Sequence, residues 1–161
     1  MKSFVFFITV LLNALSTGFF FAWSVSVVLG TKKVSDFTYL ETMQNINREI
    51  LNPFFFLVFF GSLITLILNT TLQYNSKLIF WFVLASTILY LIGVFGVTAF
   101  GNVPLNNALN NLNTDKLNVV QLKNFRIDYE GQWNRFHTIR MVSNMVSFIL
   151  LLIPIFIKKS F

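Results

Sequence analysis

The sequence predicts an all-α integral membrane protein, an antiparallel four-helix bundle with helical extensions on one side. Three observations carry this. Of the 161 residues, 55% are hydrophobic and 11% are charged, and the mean hydropathy is +0.70. A soluble domain of that length has no room to hide so much apolar side chain, 21 phenylalanines included, so lipid must cover much of it. The apolar residues also gather in four long runs, and the short connections between most of them favour antiparallel neighbours. Residues 1–161 read as a single four-span membrane domain, with spans at about 4–29, 53–72, 78–100 and 135–157.

The first run begins like a signal peptide, with Lys2, an apolar core and Ala14-Leu15-Ser16. It continues through Trp23 to Val28, long enough at about 1.5 Å per residue to cross a bilayer, so an uncleaved span is expected. The polar stretch from Thr31 to Asn52 lacks Gly and Pro after Phe37 and reads as a helix leading into the second span, with Pro53 as a kink or a first turn. After a short turn at Gln73–Lys77 comes the third span, with Trp81 as an interfacial anchor. The Asn-rich connection Gly101–Gln132 is expected to hold short helices such as Val119–Tyr129, and Asn102 to cap a helix whose first turn contains Pro104.

The fourth span is the informative one. Its purely apolar part, Met145–Ile157, is 13 residues long, too short for about 30 Å of hydrocarbon. The helix must extend backwards through Asn144, Arg140, His137 and Trp133, carrying them to membrane depth.

The charge and the missing cysteines narrow the function classes. Without Cys there are no disulfides, thiolate metal sites or thiol chemistry. The net charge of +6 comes from basic residues scattered in ones and twos beside the apolar runs, so the expected partner is the lipid bilayer and not nucleic acid. With one His and few carboxylates, no metal-ligand set and no metal or other cofactor is expected. Lys2, Lys77, Lys158 and Lys159 place the termini on a purely basic side, read as cytoplasmic, and the Phe-, Asn- and Lys-rich usage points to a bacterial inner (plasma) membrane.

At 100° per residue, Trp133, His137, Arg140 and Asn144 form one polar stripe on the fourth helix. Asn13, Thr17, Phe20 and Ser24 form another on the first. Asn45, Arg48 and Asn52 share a face before the second span, with Asn47 projecting elsewhere, and Asn102 and Asn106 lie one turn apart after the third. These sets fall towards one end of the bundle, which implies a polar pocket roofed by the long connections over a dry floor of Phe and Leu. Arg140 is costly at membrane depth unless paired or snorkelling, and His137 is the one side chain whose ordinary titration lies near neutrality. For Ser16, Thr17 and Ser24, bonding to their own helix or to a neighbouring one is the simpler expectation.

The segments G-F-F-F-A-W-S-V, M-Q-N-I-N-R-E-I-L-N-P-F, G-N-V-P-L-N-N-A-L and W-N-R-F-H-T-I-R together resemble the anthrone oxygenase family over nearly the whole chain. The resemblance implies a membrane-embedded, cofactor-independent oxygenase acting on a small lipophilic aromatic substrate, an anthrone or hydroquinone. On that reading His137 is the base and Arg140, Asn102 and Asn106 are donors to the developing oxyanion. Trp133 and Trp23 form a slot for a flat ring, Asn144 continues the stripe, and Asn47 with Arg48 closes the mouth. Two other functions fit the same residues: a non-catalytic protein that binds or transports a small lipophilic molecule, and a structural membrane subunit whose polar stripes only pack helices.

Overall fold

The computed structural model describes residues 2–157. Lys158 and Lys159, half of the basic set on the terminal side, lie outside them. All regular elements among the described residues are helical. We label the helices α1 (Lys2–Thr31), α2 (Asp36–Glu49), α3 (Pro53–Leu72), α4 (Lys77–Asn110) and α5 (Val119–Ile157). α1, α3, α4 and α5 are each long and apolar enough to cross a bilayer. The chain is an integral membrane protein.

Contacts between the helices define the bundle. Thr9 hydrogen-bonds the carbonyl of Thr65, and Phe19 meets Phe55, so α1 and α3 run in opposite directions. Thr70 meets Thr87 at the turn between α3 and α4, and Ser86 meets Ser147 between α4 and α5. Thr17 and Ser24 reach Asn144 and His137, which closes the ring from α1 to α5. Phe20, Phe59, Leu66, Val83, Tyr90 and Leu151 fill the space between them. Without a hydrophobic drive between helices in lipid, close approach matters most. At Gly93 a Cβ would collide with Ser143, and at Gly101 it would meet the Phe136 ring at 2.9 Å. Both glycines bring α4 against α5.

The extensions differ from the expected ones in three places. α2 does not run on into α3: it stops at Glu49, and Asn52 starts a new helix by accepting from the Phe55 amide at 3.0 Å, with Pro53 in its first turn. The third span does not end near Phe100. α4 continues to Asn110 through Pro104, and Asn102 has helical backbone angles and makes no capping bond. Val119–Tyr129 is not a separate short helix but the first part of α5, which is unbroken for 39 residues.

α2 packs across the protruding ends of α4 and α5. Ser35 caps it, accepting from the Thr38 amide at 3.2 Å. Tyr39, Leu40, Met43 and Leu109 join Leu122 and Tyr129 in a second apolar core. Arg126 binds this layer together, paired with Asp36 at 3.1 Å and Glu130 at 2.9 Å and donating to the carbonyls of Thr31 and Val34. Its guanidinium lies 4.5 Å from the Tyr39 ring centre, and burial pushes the Tyr39 hydroxyl well above its usual range.

Candidate active site

The site begins with an irregularity in α4. Tyr90–Gly96 and Thr98–Asn102 are π-helical turns. In a regular helix each four-residue step drifts by about 40°, so five such positions would spread around the surface. A π turn holds an extra residue and drifts the other way. Alternating the two keeps Tyr90, Val94, Thr98, Asn102 and Asn106 on one inward line: Tyr90 and Val94 enter the bundle core, and the last three face α5. A five-residue π turn in α1, Trp23–Val27, follows the segment that presents Phe20 to the same space.

There the helices border a partly open cavity of about 100 Å³, with Phe20, Trp23, Asn47, Asn102, His137 and Arg140 among its walls. Arg140 is 7% exposed, and no carboxylate pairs with it among the described residues. It donates to Thr98 Oγ1 at 3.3 Å and weakly to His137 Nδ1 at 3.5 Å. The guanidinium also lies 5.1 Å from the Phe20 ring centre and 5.3 Å from that of Trp133. A charge at the bilayer centre costs about 3 kcal/mol on insertion scales, and two desolvated cation–π contacts of up to about 2 kcal/mol each offset much of that. The Nε–H still has no partner.

His137 is held on three sides. An Arg nitrogen can only donate, so Nδ1 carries the lone pair and Nε2 the proton. Nε2 then donates to Ser24 Oγ at 2.8 Å, and Ser24 donates to the Phe20 carbonyl at 3.2 Å. The ring stacks on Trp133 at 5.1 Å with 14° between planes. The basic nitrogen thus faces Arg140.

Asn102, 1% exposed, donates its amide to the Trp133 carbonyl at 3.3 Å and leaves Oδ1 without a donor. Two residues that line the cavity thus each carry a buried atom without a partner, the donor Arg140 Nε–H and the acceptor Asn102 Oδ1. Unmade bonds of this kind cost roughly 1–3 kcal/mol each, and a ligand that supplies them recovers it.

Asn106 is arranged differently. Its Oδ1 accepts from Trp133 Nε1 at 2.9 Å and from the Tyr129 hydroxyl at 3.3 Å, so it holds the wall. Tyr129 in turn accepts from Asn47 Nδ2 at 3.5 Å. Trp23 packs 5.8 Å from Trp133 and completes the aromatic side.

Two of the residues expected in the site stand elsewhere. Arg48 is exposed, as is Asn45, because α2 buries the face that carries Tyr39, Met43 and Asn47 and turns the other to solvent. Asn144 is one turn too deep: it donates to Ser16 at 2.7 Å and accepts from Thr17 at 3.1 Å, joining α5 to α1. Sequence reasoning passed over Thr98 and Tyr129. Thr98 was legible as the position four before Asn102, and Tyr129 as the position four before Trp133.

Among the described residues no three His, Asp or Glu side chains gather as a metal site. The chemistry on offer is a buried cation, an unpartnered amide oxygen and an imidazole whose lone pair accepts one long bond from Arg140. These features define a helical membrane protein with a small, partly open cavity lined by polar and aromatic residues near one end of its bundle. A family model described as anthrone oxygenase matches residues 43–150, from α2 into the last turns of α5. The match covers well over half of the chain, which belongs to the anthrone oxygenase family. Comparison with curated proteins and with solved structures gave no match.

Proposed function

We propose that the protein oxidises an electron-rich aromatic hydroxy compound of the anthrone or hydroquinone type with O₂, using its own side chains and no cofactor. The observation that carries this reading is the pair of unmet bonds on two residues that line one cavity, Arg140 Nε–H and Asn102 Oδ1, together with a buried positive charge that has no counter-ion among the described residues. A phenolic hydroxyl satisfies both, since it accepts from the guanidinium and donates to the amide. Once ionised it also supplies the missing negative charge.

The steps follow from this placement. The hydroxyl turns its one proton from Asn102 Oδ1 to His137 Nδ1, whose 3.5 Å bond from Arg140 is weak enough to yield. Net charge in the cavity is unchanged, because imidazolium and phenolate appear together. Arg140 stabilises the anion, the role of a preorganised donor, here held between the Phe20 and Trp133 rings. The anion gives one electron to O₂; the radical and superoxide combine through a new C–O bond, and His137 returns the proton to the peroxide. Loss of water leaves a carbonyl, so an anthrone CH₂ becomes the second quinone C=O with one O₂ consumed and one H₂O released. A hydroquinone radical instead gives superoxide its second electron and proton, and with the proton from His137 the products are quinone and H₂O₂. Ser24 holds the imidazole throughout. The same reading places the protein in a bacterial plasma membrane with cytoplasmic termini and the cavity towards the opposite face.

The test is oxygen uptake by purified protein supplied with a panel of anthrones and hydroquinones. Uptake matching the quinone formed is the expected result. No uptake with any member would hand the cavity to ligand binding or transport.

A further inference from the structure

The polar cavity does not end at its aromatic wall. A second space of about 340 Å³ lies between α1 and α3, and both spaces are bordered by Phe19, Phe20, Ile50 and Phe55. Its remaining walls are apolar apart from Ser16 and Asn52. Neither is free to bind: Ser16 is engaged by Asn144 and Tyr90, and Asn52 caps α3. Leu15, Phe19 and Phe54 on its rim are exposed on the surface of the apolar spans, where lipid lies. The groove is therefore open to the bilayer, and it has nothing to offer a polar group.

The sizes of the two spaces differ in an informative way. A cavity of about 150 Å³ accommodates benzene, so the space of about 100 Å³ around Arg140 does not hold a whole substituted ring, and a ligand seated there must reach into the adjoining apolar space. The larger volume is apolar and outside. We propose that cavity and groove form one binding site for a single-ring phenol or quinol carrying an apolar chain. The ring sits on Arg140 and Asn102, the chain lies between α1 and α3, and the molecule enters sideways from the bilayer. Phe19 and Phe55, 5.8 Å apart, stand where the two spaces meet. Rotation of the half-exposed Phe19 is the movement that opens the passage. This inference rests on the oxidation reading for what happens to the ring, and narrows its substrate.

The test uses the full chain in lipid nanodiscs with three substrates: a decyl-substituted hydroquinone, its tailless methyl parent, and anthrone. Concentrations are corrected for partition into the lipid. Chain binding remote from the reacting ring should raise kcat/KM of the tailed compound about tenfold over the tailless one. Val58→Phe on α3 and Leu15→Phe on α1 each narrow the groove and should shrink that ratio, so misfolding of one leaves the other as the test. Quenching of tryptophan fluorescence by a decyl benzoquinone, which undergoes no turnover, is followed in parallel. Anthrone turned over as fast as the tailed quinol, with ratios unchanged in both variants, overturns this inference and leaves the oxidation reading standing. Quenching that weakens in both variants, without oxygen uptake from any substrate, supports the shared site and removes the oxidation reading. Neither quenching nor uptake removes both.

Discussion

Two polar layers lie inside this bundle, one to two helical turns apart along α5, and they are built for opposite ends. In the deeper one Asn144 donates to Ser16 and accepts from Thr17, Ser16 meets Tyr90, and Tyr90 donates to the Phe59 carbonyl. Four helices are tied together there by short side chains that serve one another. In the upper layer Arg140, His137 and Asn102 are as deeply buried, yet Arg140 Nε and Asn102 Oδ1 lack partners and a cavity adjoins them. Polar residues at membrane depth thus do two different things. What separates them is whether their bonds are closed within the protein. Asn13 Oδ1, also unpartnered, borders no such cavity among the described residues, so an unmet bond alone does not make a site.

The largest expected effect strikes the upper layer. His137→Ala removes the proton acceptor and should lower turnover by a factor on the order of 10² to 10⁴. Raising the pH from 6 to 10 should recover much of it, because the substrate hydroxyl then ionises unaided. Rates of substrate oxidation in detergent, on variants checked for folding, decide this; a loss independent of pH would make His137 a structural residue.

Arg140→Lys keeps the charge but loses the planar fork, and should cost about 10² to 10³ in turnover. Here the defect should persist at high pH, since the anion still lacks its donors. If both variants recover alike, the division between base and anion binder is wrong.

Tightness of the α4–α5 contact is a matter of stability. Gly101→Val would push into the Phe136 ring and should destabilise by about 1–3 kcal/mol, read as a lower melting temperature in detergent. An unchanged melting temperature would show that Phe136 swings aside freely.

The smallest effect belongs to the deeper layer. Asn144→Ala removes two interhelical bonds, each about 0.6 kcal/mol in membrane proteins, for a loss of about 1 kcal/mol. Thermal unfolding should register it, and per folded molecule it should slow turnover far less than Arg140→Lys. A turnover loss as large as that of Arg140→Lys would erase the distinction between the layers.

Much of this was readable without coordinates. Hydropathy locates the four spans because lipid demands runs of apolar residues whatever their neighbours are. The 13-residue apolar stretch of the last span forced Arg140 and His137 to membrane depth, and helical periodicity put Trp133, His137 and Arg140 on one face. These are local properties of one helix, and one helix is enough to compute them. The same periodicity could not tell Asn144 from Arg140, one turn apart on the same stripe, because the difference is who stands opposite: Ser16 and Thr17 for one, Thr98 and the aromatic wall of a cavity for the other. Nor could it align Thr98, Asn102 and Asn106, since that line exists only where π turns interrupt the regular helix, and contact with α5 selects those turns. The break at Ile50–Asn52, which lets α2 fold across the bundle and turn Asn47 inward and Arg48 outward, is likewise a matter of which face finds a partner. The sequence by itself therefore determined that this chain lives in lipid as four helices and which helix carries the charge. Only tertiary packing decided which polar groups are consumed as glue and which are left free, because an unmet hydrogen bond is a relation between helices and is written in neither of them alone.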